Sequence, residues 1–293
     1  MKILIVEDDF ASRTFLKETM ESRGHETRVA EDGLEGLNAF KEFQPDLVFS
    51  DINMPKMDGL EMLKEIRKEG KNSIIVMSTA YGCEEYAIQA IKLRANNYLR
   101  KPIRHNELLP LLNKYSLFLE NKTSKPGNIS WDTRQNFSLS LTNEVELIPD
   151  TVNLLVKATS KALAEHHQFD VRLGLSELLI NSIEYGNLEI SSEEKKIAFG
   201  EGIKKLEDLR KTQMAKPDFS YRQVKVVYSL SDTLCEWVIT DQGKGFDWQN
   251  HLKECENSNP LDMECKGIFL SRFHFDTLSY VGNGNVVRVT KLR

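Results

Sequence analysis

The sequence predicts two domains of different class: an α/β domain of (βα)5 order built on a parallel sheet, followed by an α+β sandwich. Three observations carry this reading. Residues 1–116 alternate short β-branched runs with amphipathic segments, the signature of βαβ units. The polar stretch ENKTSKPGNISW, with Pro126 and Gly127, interrupts that alternation and reads as a linker. Beyond it the order changes to helices grouped with consecutive strands. The 293 residues accommodate two domains at roughly 100–200 residues each.

In the first domain, strands are expected at 2–6, 27–29, 47–50, 74–77 and 98–99. Helices are expected at 12–22, 33–40, 59–68, 84–92 and 106–119. Parallel strands need crossovers, and their carboxyl ends then share one rim where the functional site belongs. The boundaries read as 1–119 for the first domain, 120–131 for the linker and 132–293 for the second domain. In the second domain a strand is expected at 137–147, helices at 149–166 and 170–186, and a charged, Gly-interrupted helical stretch at 192–214. Strands follow at 223–230 and 234–240, then a glycine loop at 241–247 and a polar loop to about 264. A short helix at 267–273 and strands at 276–281 and 285–291 complete it.

Composition excludes several classes. Apolar residues make up 40% and charged residues 28%, a globular rather than disordered profile. The net charge of −5 argues against a broad nucleic-acid surface, and neither a helix-turn-helix pattern nor a basic stripe occurs. Direct DNA binding is therefore not expected. No apolar run approaches the ~18 residues of a membrane span, and MKILIVEDDF is not a signal peptide. The cysteines, Cys83, Cys235, Cys255 and Cys265, form no CxxC pair or zinc spacing, so reduced thiols in the cytoplasm are expected.

The first candidate site gathers residues from four strand ends. Glu7, Asp8 and Asp9 follow the first strand and Asp51 the third; Thr79 follows the fourth, and Lys101 the fifth, ahead of Pro102. Clustered carboxylates suit a hard cation such as Mg²⁺. Asp51 can attack phosphorus as a carboxylate nucleophile, while the Thr79 hydroxyl and Lys101 ammonium can bind phosphoryl oxygens. Glu7 either borders the site or belongs to it.

This set resembles the response-regulator receiver family over residues 1–118. The match covers the acid pair, SDINMPKMDG, the Ser-Thr-Ala after the fourth strand and Lys-Pro. The resemblance implies that Asp51 is the phosphoacceptor. It further implies Asp8, Asp9 and Asp51 as Mg²⁺ ligands, with the backbone of Asn53 as another, and Tyr98 as a switch aromatic. A sensor histidine kinase is the implied phosphodonor. Ala95-Asn96-Asn97-Tyr98 stands where the transcription-factor branch carries an acid that pairs across a dimer.

Three further blocks carry the second site. In SELLINSIEYGN, Glu177 and Asn181 stand four apart and so share a helix face. Asp241-Gln242-Gly243-Lys244-Gly245 follows a strand, where a carboxylate can accept from an adenine amino group and glycines allow close backbone approach. Lys266-Gly267-Ile268 places a glycine at the opening of a short helix, a phosphate-binding position. In this order the blocks resemble the GHKL ATPase superfamily over about 135–293, in particular the anti-sigma-factor serine kinases. The resemblance implies ATP and Mg²⁺ as cofactors, with Asn181 on the metal and Asp241 on adenine. Gly243 and Gly245 would shape the pocket, Glu177 would act as general base, and 248–266 would form a lid. Cys265 stands where the family usually has a glycine.

The functional expectation is a regulator phosphorylated on Asp51 that controls an ATP-binding serine/threonine kinase output. Its partners would be an anti-sigma-factor antagonist, a sigma factor or both. The alternative is a binding module that uses ATP without transfer: Glu177 favours the enzyme and Cys265 the module. The segment 191–216 is an insertion relative to the shortest members, either a solvated helical hairpin or a regulatory or homodimer surface. His166 and His167 are expected to be ordinary surface residues.

Overall fold

The computed structural model describes residues 1–70, 72–80, 84–119, 129–131, 136–257 and 263–293. The chain divides into two compact units, Met1–Leu108 and Leu109–Arg293.

The first unit follows the predicted alternation: β1 (Lys2–Val6), α1 (Phe10–Glu21), β2 (Glu26–Ala30), α2 (Gly33–Phe43), β3 (Leu47–Asp51), α3 (Gly59–Lys68), β4 (Ile74–Thr79), α4 (Glu84–Lys92), β5 (Asn97–Arg100) and the start of α5 (His105–Leu119). The strands form one parallel sheet in the order β2-β1-β3-β4-β5. The central strands are buried along their length, as continuous apolar runs require when helices cover both faces. Three helices start on aspartate caps: Asp9, Asp32 and Asp58 accept from the backbone N–H of Ser12, Glu35 and Glu61. Gly59 lies so close to Asp51 that a Cβ there would fall 2.1 Å from the Asp51 carbonyl oxygen, so the glycine of SDINMPKMDG is a packing requirement.

The second unit opens with the last part of α5. It continues through β6 (Ile129–Trp131), β7 (Asn136–Leu141), α6 (Ile148–Ala158), α7 (Glu165–Asn181), α8 (Ser192–Glu201), α9 (Ile203–Met214), α10 (Pro217–Ser220), β8 (Val224–Leu230), β9 (Leu234–Thr240), α11 (Trp248–Asn257), α12 (Met263–His274), β10 (Thr277–Val281) and β11 (Val286–Leu292). The six strands are antiparallel in the order β10-β11-β9-β8-β7-β6. Burial alternates along them: Phe137, Leu139 and Leu141, then Val224, Val226 and Tyr228, then Cys235, Trp237 and Ile239 face the core. Val152, Leu155, Leu175, Leu178 and Leu179 of α6 and α7 cover that face.

Several elements differ from the sequence reading. Ile129–Trp131, the end of the expected linker, pairs with β7; residues 120–128 lie outside the described residues. The expected strand 137–147 stops at Leu141, and 145–147 wind as a 3₁₀ turn. Helix 149–166 ends early because the Thr159 hydroxyl turns back to the Val156 carbonyl, 2.7 Å away. Gly202, at φ +114°, separates α8 from α9, and Ser191 and Glu194 form a reciprocal capping box ahead of α8. The polar loop after 247 is helical as α11, because the Asp247 carboxylate accepts from the Asn250 N–H and caps it. No described helix is long and apolar enough to cross a membrane.

Candidate functional site

In the first unit the strand register assembles the expected rim. Val6 lies beside Ser50, Asp51 beside Ser78, and Thr79 beside Arg100, so Glu7, Asp51, Thr79 and Lys101 all leave the sheet at its carboxyl edge. The Lys101 ammonium joins them, with Nζ 2.7 Å from Glu7 Oε1 and 2.5 Å from Asp51 Oδ2. Carboxylate oxygens of Glu7, Asp8 and Asp51 lie within 4.8 Å of one another. The Glu7 carboxylate is completely buried, and its Oε2 has no hydrogen-bond partner. Burial pushes Glu7 upward, against the pull of Lys101. Burial works against the Lys101 charge, but Asp51 and Glu7 together outweigh it and raise the ammonium.

An orphaned buried carboxylate oxygen beside two further acids fits a hard divalent cation, which supplies positive charge to an incoming phosphoryl group. Glu7, Asp8 and Asp51 are the side chains placed to hold it. Asp9, expected among the ligands, is placed elsewhere: its Oδ2 accepts from the Ser12 N–H at 2.7 Å as the cap of α1, which holds its carboxyl below the ordinary aspartate pKa. The physical reason is that Asp9 immediately precedes the first helical residue, where a carboxylate satisfies an otherwise unpaired N–H. Glu7 takes the position in the cluster. The Asn53 N–H reaches Asp51 Oδ1 at 3.3 Å. Thr79 is buried at the end of β4, and Tyr98 is already buried in β5.

In the second unit the three distant blocks converge. A Cβ on Gly267 would lie 3.1 Å from Glu177 Oε1 and 3.6 Å from Asn181 Nδ2, which brings α12 against the shared face of α7. A Cβ on Gly186 would fall 2.5–2.8 Å from the Asp241 carboxyl atoms, and one on Gly243 would fall 2.3 Å from the Gly186 carbonyl oxygen. Gly245, at φ +76°, packs on the Asn283 backbone. Asp241 Oδ1 accepts from the Gly243 N–H at 2.9 Å. Burial pushes the Asp241 carboxyl up to about 6. Buried Asn187 ties the two loops together: its Oδ1 accepts from the Gln242 N–H, and its amide donates to Asn143.

Gly267 is the fifth residue of α12, not its first. The helix runs back through Met263-Glu264-Cys265-Lys266, three of which are strong helix formers, so Gly267 offers close approach rather than a helix N-terminus. Of the expected lid 248–266, residues 258–262 lie outside the described residues, as do the side chains of 254–257 and 263–266, Cys265 included. Glycine backbones around a buried carboxylate, beside an asparagine and a glutamate, fit an adenine nucleotide with its metal ion.

Two groups of residues were not singled out from the sequence. Lys114 of α5 forms an ion pair with Glu177, which lowers Glu177 against the effect of burial and raises Lys114. Glu184 lies buried in the π-helical turn Ser182–Asn187 and pairs with Lys195 of α8 and Arg210 of α9. The insertion is thus anchored to this turn through inward-facing charges. Its high charge alone read as solvation. The His166 and His167 rings pack against each other at a tilt of 59°, with centroids 4.1 Å apart, at the start of α7.

Two family models match this chain. The family model for the response regulator receiver domain matches residues 3–113, and that for the histidine kinase-like ATPase domain matches 141–291. The chemotaxis protein CheY of Thermotoga maritima is 36% identical over 116 residues, covering 39% of this chain and 97% of that protein. An uncharacterized response regulatory protein of Vibrio cholerae is 32% identical over 171 residues, covering 51% of this chain and 65% of that protein. A response regulator receiver domain protein from Clostridium thermocellum, a solved structure, is 34% identical with a TM-score of 0.37, covering 39% of this chain and 92% of that one. The chain therefore belongs to the histidine kinase-like ATPase domain family and carries a response regulator receiver domain ahead of that domain.

Proposed function

We propose that Asp51 accepts a phosphoryl group from a sensor histidine kinase and that this controls an ATP-dependent serine/threonine kinase in the second unit. The observation that carries the kinase reading is the convergence of Glu177, Asn181 and Gly267 at one place, with Asp241 held by Gly186 and Gly243. Bound ATP and Mg²⁺ would supply the phosphoryl donor and its charge neutralisation. Asp241 accepts from the adenine amino group, Asn181 offers a neutral oxygen to the metal, and Glu177 receives the proton of the attacking hydroxyl. On the receiver side Asp51 attacks, Lys101 and Thr79 bind the phosphoryl oxygens, and Glu7 and Asp8 hold the cation. The proposed substrate is an anti-sigma-factor antagonist, and a sigma factor would be a sequestered partner, in cytoplasmic signalling. The second reading is a binding module that holds ATP without transferring phosphate. The ion pair that already occupies Glu177 favours it.

The test uses the full chain. Acetyl phosphate with Mg²⁺ is expected to label Asp51, with loss of label in Asp51→Asn and after chelation of the metal. Radiolabelled ATP is then offered with a candidate antagonist protein, with and without beryllofluoride. Serine or threonine label that depends on Glu177 supports the kinase. Tight ATP binding without label supports the module.

A further inference from the structure

Glu177 is the proposed general base, and the following inference rests on that reading. A general base needs an uncommitted lone pair facing the proton it takes. Glu177 Oε2 does not meet that condition, and the cation it carries lowers the basicity of the whole carboxylate. Oε2 carries the Lys114 ammonium, and Oε1 faces the α12 backbone at Gly267. The pair is shielded from solvent, with the Lys114 side chain 25% and the Glu177 side chain 18% exposed. Lys114 is not a loose surface side chain. Its helix is held by Leu111, Leu112 and Tyr115, all buried, and Phe118 packs edge-on against Phe169 of α7 with centroids 5.8 Å apart. The packing is also incomplete: Lys114, Tyr115 and Phe118 line a cleft with Val152, Arg172 and Ser176.

We propose that Lys114 is an autoinhibitory clamp: while α5 stays packed along α7, its ammonium holds Glu177 as an ion-paired carboxylate that cannot take the substrate proton. The Asp241 pocket lies on other elements, the loop after β9 and the turn after α7, and none of its named contacts involves Lys114. The clamp therefore suppresses turnover and spares nucleotide binding.

The experiment measures two quantities on the full chain: ATP–Mg²⁺ affinity by displacement of a fluorescent nucleotide, and phosphate release at saturating ATP, a hydrolysis in which water replaces the protein hydroxyl as the phosphoryl acceptor and Glu177 takes the proton of that water. Lys114→Met keeps the apolar stem and removes the charge. It is expected to raise turnover by about tenfold or more, up to the ~10²–10⁴ that general-base catalysis commands, at unchanged ATP affinity. Lys114→Arg keeps the charge and is expected to stay at the wild-type level. Adding Glu177→Gln to Lys114→Met is expected to return turnover to background. Unchanged turnover in Lys114→Met, with Glu177→Gln still lowering it, overturns the clamp and leaves the base intact. A fall in Lys114→Met shows instead a lysine that assists the reaction, and also overturns it. ATP binding with no turnover above the Glu177→Gln background in any variant removes the base itself, and the clamp with it.

Discussion

Glu184 tests whether the insertion belongs to the nucleotide site or merely decorates it. The residue is 0% exposed, and its two partners, Lys195 and Arg210, are 19% and 15% exposed. Glu184→Gln keeps the volume and removes the charge, leaving two largely buried cations against one amide. Breaking a buried pair from one side costs about 3–5 kcal/mol, and the residual exposure of both cations places this site near ~3. For a unit of this size each kcal/mol moves the melting temperature by roughly 2–4 °C, so a fall of about 6–12 °C is expected. All three tryptophans, Trp131, Trp237 and Trp248, lie in the second unit, so tryptophan fluorescence reports its unfolding separately. The pH dependence has a definite sign. Burial would raise Glu184, but Lys195 and Arg210 lower it overall. The stabilisation is therefore complete above the ordinary glutamate value of about 4.3 and is lost as pH falls through the lower folded value. The gap between wild type and Glu184→Gln should narrow in that window. Replacing all three charges by Leu, Met and Met should restore most of the loss, because no charge is then left uncompensated. A Glu184→Gln melt within about 2 °C of wild type, below the ~1 kcal/mol of an exposed pair, would refute the structural role.

Two further outcomes bear on the nucleotide pocket. Burial places the Asp241 carboxyl at about 6, so ATP affinity should be full above neutrality and fall as pH drops through 6, while Asp241→Asn should bind weakly with a flat profile. A wild-type titration that is flat from pH 5 to 8 would count against adenine recognition by this carboxylate. Gly186→Ala would place a Cβ within 2.8 Å of that carboxyl and should weaken ATP by roughly 5–150-fold, from an overpacking cost of ~1–3 kcal/mol, without altering acetyl phosphate labelling of Asp51.

The sequence by itself determined the order of elements in the first unit, because continuous apolar runs and period-3.6 helices leave little choice of topology for parallel strands. It also determined which strand ends carry Asp51, Thr79 and Lys101, and that Glu177 and Asn181 share a face. What it could not decide was the division of labour among adjacent acids. Glu7, Asp8 and Asp9 are equivalent as letters, and the one that caps α1 is known only when the first turn of that helix is placed. The extent of α11 and α12 depended in the same way on caps and backbone packing rather than on apolar period. Only the tertiary structure paired Lys114 with Glu177, 63 residues away, and set Lys195 and Arg210 on Glu184. Charges in a polar, helical stretch read as solvated because a one-dimensional pattern carries no partner. Burial, which decides whether a charge must be paired, is a property of the folded neighbourhood alone.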